Sequence, residues 1–300
     1  EGRPGVIHAR VGAATTITSR YWVDEDAVTV TSPTVAVADD SGATVVSSAT
    51  PSGPDVDNTY SALLPAAALA SVTTLTATWS ATYAGQTITH HDTVDVRGAH
   101  YFELGQLRAL ADLPQRSYTT AQLARARAWI VEKIEIACAT SFVAAAHTDD
   151  PSRCRIVCHP TRGAAVEVSE PYLRSVRWLR VDGTAVAVAD VEVLDGVVAA
   201  KVGAANPFVG IAPQVEVGYV AGARLTCPVD LADAAMIAAR VHLISKDGAS
   251  GIPDRATAIT NDFGNVSLAT PGVRGSIVGI PEVDQTINAW AQRVRTPAIA

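Results

Sequence analysis

Lysine is nearly missing from this chain: of 23 basic residues only Lys133, Lys201 and Lys246 are lysines, and the rest are arginine. With so much alanine and valine, that is the mark of a GC-rich coding genome and carries no mechanism. A second absence says more. A protein that grips phosphates needs clustered Lys and Arg, and no segment supplies a cluster. Residues 1–98 hold 10 acidic residues against 4 arginines, net −6, and residues 99–300 hold 20 against 19, net −1. Such a chain can lie beside DNA but is not built to hold it. The four cysteines (Cys138, Cys154, Cys158, Cys227) have no disulfide-scaffold rhythm, which fits a reducing site of synthesis. No apolar run approaches the roughly 18–20 residues of a membrane helix, so no membrane association is expected. The opening EGRPGVIHAR has no hydrophobic segment of the signal-peptide kind.

Catalytic signatures are missing too. There is no GxGxxG, no P-loop, no GxSxG and no Cys/His pair at a useful spacing. No reaction, cofactor or metal is therefore expected, and the chain reads as a non-enzyme. Four groups come nearest to a site. Cys154, Cys158 and His159 invite a zinc reading, but strand residues four apart lie about 13 Å apart. Two thiolates on one zinc, each about 2.3 Å from it, cannot span that, so buried cysteines are the better expectation. His90-His91-Asp92 would point to alternating faces of a strand, which favours a surface-and-rim role. The DFG in Asn261-Asp262-Phe263-Gly264-Asn265 lacks every companion of the kinase motif and reads as a hairpin turn. Asp149-Asp150 falls in a polar loop with no evident partner.

What is present is a globular composition, 48 % apolar and 18 % charged, over about two domains' length. The first hundred residues read as β. In TTLTATWSATY, Leu75, Ala77, Trp79, Ala81 and Tyr83 share one face and threonines and serine the other, the pattern of a half-buried antiparallel strand. With AVTVTS, PTVAVAD, ATVVSS, TYSALLP and QTITHHDTVDV this suggests an all-β immunoglobulin-like sandwich of about seven strands over 1–98, without the antibody disulfide, with another small β sandwich as the alternative.

Beyond Arg97-Gly98 the texture changes to α+β, a second domain over 99–300. A helix capped by Thr119 or Thr120 is expected over about 119–140, with Leu123, Arg127, Ile130, Ile134 and Ala137 in one row. A second, over about 228–246, is apolar nearly all round and should pack on more than one side. A β-rich insert occupies about 153–220, and a hairpin about 256–269. The stretch GIPEVDQTINAWAQRV gives a third helix over about 281–294. Pro281, Glu282 and Asp284 suit its first turn, and Val283, Ile287, Trp290 and Val294 form one face.

In this order, AQLARARAWIVEKIEIACATSFV, VRWLRVDG, VEVGYVAGARLTCPVDLADAAMIAARVHLI, GIPDRATAITNDFGNVSLATPG and GIPEVDQTINAW resemble the head-to-tail connector (adaptor) proteins of long-tailed phages infecting actinobacteria. The resemblance spans about residues 100–295, with 1–98 as an appended domain. It implies a structural virion protein, assembled in the host cytoplasm, in a ring of usually twelve copies beneath the portal. The ring prolongs the DNA channel, and stopper or tail-completion proteins dock on its far side. It implies that Pro281, Val283, Ile287, Trp290 and Val294 meet the portal or a neighbouring subunit, where the residues alone leave open that the stripe packs back on its own core, and that Leu231, Ala235, Ala238 and Val241 pack subunit against subunit. The alternative is a decoration or host-attachment protein that acts through the immunoglobulin-like domain.

Overall fold

The computed structural model describes residues 6–23, 26–56, 58–111, 113, 115, 117–210, 213–246, 258–261, 264–267 and 277–295; for 111, 245–246, 258–261, 264–267 and 295 only the backbone is described. The chain is a mixed α+β protein. It divides into two compact units, one joining residues 1–99 with 143–223 and the other joining 100–142 with 224–300. The boundary expected near Gly98 is thus one of three crossings between units, and the β insert belongs with the N-terminal sandwich.

Eight strands build that sandwich: β1 (Val6–Arg10), β2 (Thr15–Val23), β3 (Asp26–Val28), β4 (Thr31–Asp39), β5 (Thr44–Ala49), β6 (Thr59–Leu64), β7 (Thr73–Tyr83) and β8 (Gln86–Arg97). They form a sheet of order β1-β8-β7-β4-β5 and a second of order β3-β2-β6. Their facing sides bury Ile17, Tyr21, Val35, Val37, Tyr60, Leu75, Trp79, Val94 and Val96. Each such side chain contributes roughly 1.5–3 kcal/mol by leaving water. The alternation of β7 holds through Ala81 and fails at Tyr83, which is exposed because its strand ends there. Tyr83 pairs with Gln86 across a two-residue turn, Ala84-Gly85, both at positive φ (48° and 79°). That geometry matches the twist of a tight hairpin and favours glycine.

The insert continues the same unit with β9 (Ala145–Asp149), β10 (Arg155–His159), β11 (Gly163–Glu167), β12 (Leu173–Val181), β13 (Thr184–Val186), β14 (Val191–Leu194), β15 (Val197–Ala200) and β16 (Val215–Ala221). Two four-stranded sheets, β10-β11-β15-β14 and β13-β12-β16-β9, share a core of Val166, Leu179, Val198, Phe208, Val217 and Tyr219. Gly218 of β16 is required by its neighbour: a Cβ there would lie 2.2 Å from Nε1 of Trp178. Sandwich and insert are joined by hydrogen bonds. Arg177 donates from Nη1 to Asp40 Oδ2 (2.8 Å) and from Nη2 to Asp40 Oδ1, and Trp178 Nε1 donates to Asp40 Oδ2 (3.2 Å). Gly98 N donates to Ala144 O (2.8 Å).

The second unit holds α1 (Leu104–Ala111), α2 (Thr120–Cys138), α3 (Val229–Lys246), the hairpin β17 (Ala258–Asn261) and β18 (Gly264–Ser267), and α4 (Pro281–Arg295). Thr119 caps α2 in a capping box with Gln122: its Oγ1 accepts from Gln122 N at 3.2 Å, and Gln122 Oε1 accepts from Thr119 N at 2.7 Å. The inner face of α2 buries Leu123, Ala126, Ile130, Val131, Ile134 and Cys138. Arg127 is buried with them because Nη1 donates to the carbonyl of Phe102 (3.2 Å). Helices α2, α3 and α4 touch pairwise, and α1 lies against α2 and α3.

Candidate functional site

The site suggested by sequence is α4, and its chemistry starts in the approach to the helix. Asp284 is buried and turns back on the preceding chain: Oδ1 accepts from Val278 N (2.8 Å) and Oδ2 from Gly279 N (3.2 Å). The carboxylate does more than oppose the helix dipole; it fixes the angle at which the chain enters α4. Pro281 is exposed in the first turn. The stripe then faces the chain's own helices. Val283 and Ile287 are 1 % and 0 % exposed, Cys138 of α2 places its Sγ 3.8 Å from Ile287 O, and Trp290 and Val294 are half-buried.

Two expectations are corrected by this packing. Val283 and Ile287 are core residues of their own unit, so a partner could meet only Pro281 and the exposed parts of Trp290 and Val294. A helix of about a dozen residues is marginal alone, and burial of Val283 and Ile287, roughly 1.5–3 kcal/mol each, is what orders this one. On α3, Leu231, Ala235 and Ala238 are buried inside the unit, and Val241 alone of that set is exposed. The uncovered row lies one step round the helix at Val229 (77 % exposed), Asp233, Ile237 (39 %) and Val241 (41 %).

Trp290 is held from several sides. Its Nε1 donates to Asp230 Oδ2 (3.0 Å), and Phe142 meets it edge-on at 5.6 Å and 87°. The guanidinium carbons of Arg224 and Arg293 stand 5.2 and 4.9 Å from the ring centroid. At exposed positions such contacts contribute about 0.5–1 kcal/mol each. Nearby, Tyr101 OH donates to Glu135 Oε1 (3.1 Å) and accepts from Phe142 N (3.3 Å). The Cys227 thiol is pushed up to about 12, first by burial and then by the charges of Asp230 and Glu135, so it stays protonated and unreactive. Arg293 was legible as the residue one turn beyond Trp290. Asp230 and Arg224 are separated from it by more than fifty residues and had no local signal.

The remaining candidates resolve as structure. Asp149, expected in a partnerless loop, ends β9, is buried, and accepts from Ser169 N (2.7 Å), Ser169 Oγ (2.7 Å) and Tyr219 OH (3.1 Å). Cys154 is half-buried and its thiol is pushed up to about 12 by burial, with Asp149 and Asp150 adding to the shift. Cys158 is exposed, against the expectation that both were buried, because β10 turns it outward and His159 inward. His159 holds the next hairpin: Nε2 lies 3.2 Å from Asp195 Oδ2, and Nδ1 accepts from Thr161 N (3.3 Å). Among the described residues no three of His, Cys, Asp and Glu are grouped to hold a metal ion.

The two histidines divide by face. His90 turns inward, hydrogen-bonded to Ser19 Oγ, stacked on Trp79 at 6.2 Å and met edge-on by Tyr21 at 5.0 Å. His91 turns outward to Thr78 Oγ1 (3.1 Å). Burial holds the His90 imidazole below its ordinary value, with Asp92 pulling it partly back and His91 adding to the depression. In the DFG segment, β17 and β18 pair antiparallel with Asn261 opposite Gly264. Asp262 and Phe263, which connect them, lie outside the described residues.

No helix among the described residues is long and apolar enough to cross a membrane. No protein-family model matches the chain. No curated protein matches it either. Among solved structures the chain is similar to one described as "Neck of empty GTA particle computed with C6 symmetry", with a TM-score of 0.37 and 18 % sequence identity, over 63 % of this chain and 89 % of that chain.

Proposed function

We propose that this chain is a structural subunit of a phage neck that packs beside copies of itself in a ring beneath the portal, around the path of the DNA. The observation that carries the reading is the second face of α3. Its inner face is already buried, yet Val229 and Ile237 are exposed on the outside. A subunit flanked by copies of itself has a use for such a face, since a heterologous interface that closes on itself makes a ring. The order of segments from Ala121 to Trp290 that resembles phage adaptors supports the same reading. So does the missing basic cluster, because a channel wall that gripped phosphate would stall translocation. On this reading the portal and a stopper or tail-completion protein are the axial partners, the copy number is twelve, and the N-terminal sandwich, with its two sheets and buried Trp79, is an appended immunoglobulin-like module.

The test is electron microscopy of particles carrying this chain with a tag on β5. Density in a ring at the head–tail junction is the expected result; density over the shell or at the tail tip overturns it. A second reading, attachment or decoration through the sandwich, has one observation in its favour: Trp22 is 46 % exposed on the three-stranded sheet, next to Val23 at the end of β2. The same images separate the two.

A further inference from the structure

Two arginines stand over the Trp290 ring and leave their hydrogen-bonding edges without a carboxylate partner among the described residues. Elsewhere in the protein, arginines with half-buried heads are paired: Arg97 with Asp95, Arg162 with Glu192, Arg177 with Asp40. Arg224 and Arg293 are both exposed, and among the described residues neither guanidinium has a carboxylate within ion-pair distance. Each is placed instead over the indole of Trp290. That ring is fixed by the hydrogen bond from Nε1 to Asp230 Oδ2 (3.0 Å) and by Phe142 against it. The result is two planar, five-donor forks anchored to a common post.

We infer that Arg224 and Arg293, mounted on Trp290, form a docking platform for an acidic peptide segment of a partner protein. Arginine forks bind carboxylates in a bidentate manner, and stacking on an aromatic ring restrains them before the partner arrives. Nucleic acid is the less suitable occupant for three reasons. The guanidiniums already stand over the indole and compete with a base for its face. The Asp230 carboxylate stands beside the ring, where a run of phosphates would meet it. Two cations also fall far short of the six to ten phosphate contacts that a duplex binder typically makes. A short acidic segment needs only two. The inference stands on this cluster alone and holds whether or not the chain sits in a neck.

The test uses the full chain and a synthetic decapeptide of alternating glutamate and glycine, blocked at both ends. Binding is followed by calorimetry and by the indole N–H resonance of Trp290, assigned from a Trp290→Phe variant. The wild type should bind the peptide, shift that resonance, and weaken as salt rises from about 50 to 300 mM, where the Debye length shortens. The double variant R224Q/R293Q should lose at least about tenfold in affinity, as removal of charge-assisted contacts does. Its fold should persist, with a melting temperature lowered only by the loss of the two contacts with the Trp290 ring. The charge-conserving R224K/R293K should recover part of the loss. Unchanged affinity in R224Q/R293Q, no peptide binding by the wild type at about 1 mM, or displacement of the peptide by a 20-base-pair duplex each overturns the inference.

Discussion

Arg177 on β12 holds Asp40, in the turn between β4 and β5, with both terminal nitrogens of its guanidinium. The two residues are 137 positions apart, and both side chains are largely buried, at 16 % and 15 % exposure. This pair, with Trp178 on the same carboxylate, makes the N-terminal sandwich and the insert one body. A detachable sandwich, as the composition break near Gly98 suggests, would need no such clamp.

The clamp is the first thing to measure. Asp40→Ala or Arg177→Ala alone should cost about 2 kcal/mol in urea unfolding, since each leaves a half-buried charge without its partner. The double variant should cost less than the sum of the two. Additive losses across the cycle would mean that sandwich and insert are coupled by other contacts.

His90 makes the stability of the same unit depend on pH. Its folded value is depressed below 6.5, so between the folded and unfolded values the unfolded chain binds more protons. The contribution is complete above about pH 6.5 and is lost as pH falls through the folded value. Melting temperature followed from pH 7.5 to 5 should therefore drop more steeply in the wild type than in His90→Gln. Parallel curves would count against a buried, neutral imidazole.

For α4 the expectation is loss of stability rather than loss of a partner. Ile287→Ala removes a fully buried side chain and should cost roughly 2–5 kcal/mol. A stop after Gly279 should leave α2 and α3 with an uncovered apolar face and an aggregating product. A truncated chain that stays monomeric, with an unchanged circular dichroism spectrum apart from one helix, would show that the helical unit does not depend on α4.

On α3, Ile237→Asp with Val241→Asp should change stability by less than about 0.5 kcal/mol, because both positions are exposed. The same pair should abolish head–tail joining in assembly assays. If such particles join normally, this row of α3 does not contact a neighbour.

Local signals carried part of this architecture. The Thr119-Gln122 box and the period of Leu123, Ile130 and Ile134 located α2, and strict alternation located β7 up to Ala81. Strand β2 escaped because Ser19 interrupts its inward face between Ile17 and Tyr21, while Trp22 points outward. Helix α1 is only eight residues long and, among its described side chains, shows a single fully buried position, Leu107. Strand β9 was hidden by the polar look of Asp149, whose partners Ser169 and Tyr219 come 20 and 70 residues later. The period of Val283, Ile287 and Trp290 announced that one face of α4 is covered. Periodicity cannot say by what, and here the cover is the chain's own α2 and α3.

The path of the chain also bears on how it is made. Helices α1 and α2 leave the ribosome long before α3 and α4, with the whole insert emitted between them, a delay of several seconds at the usual rate of synthesis of about 5–20 residues per second. During that interval the apolar side of α2 lacks the cover that α3 and α4 provide. The insert shortens the search that follows, because its first and last strands in sequence, β9 and β16, are neighbours, with Ala145 opposite Ala221. Once they pair, Arg224 N comes to donate to Phe142 O at 2.8 Å. A separation of some eighty residues then behaves like a tight turn, and the entropy of closing it is met before α3 begins to form.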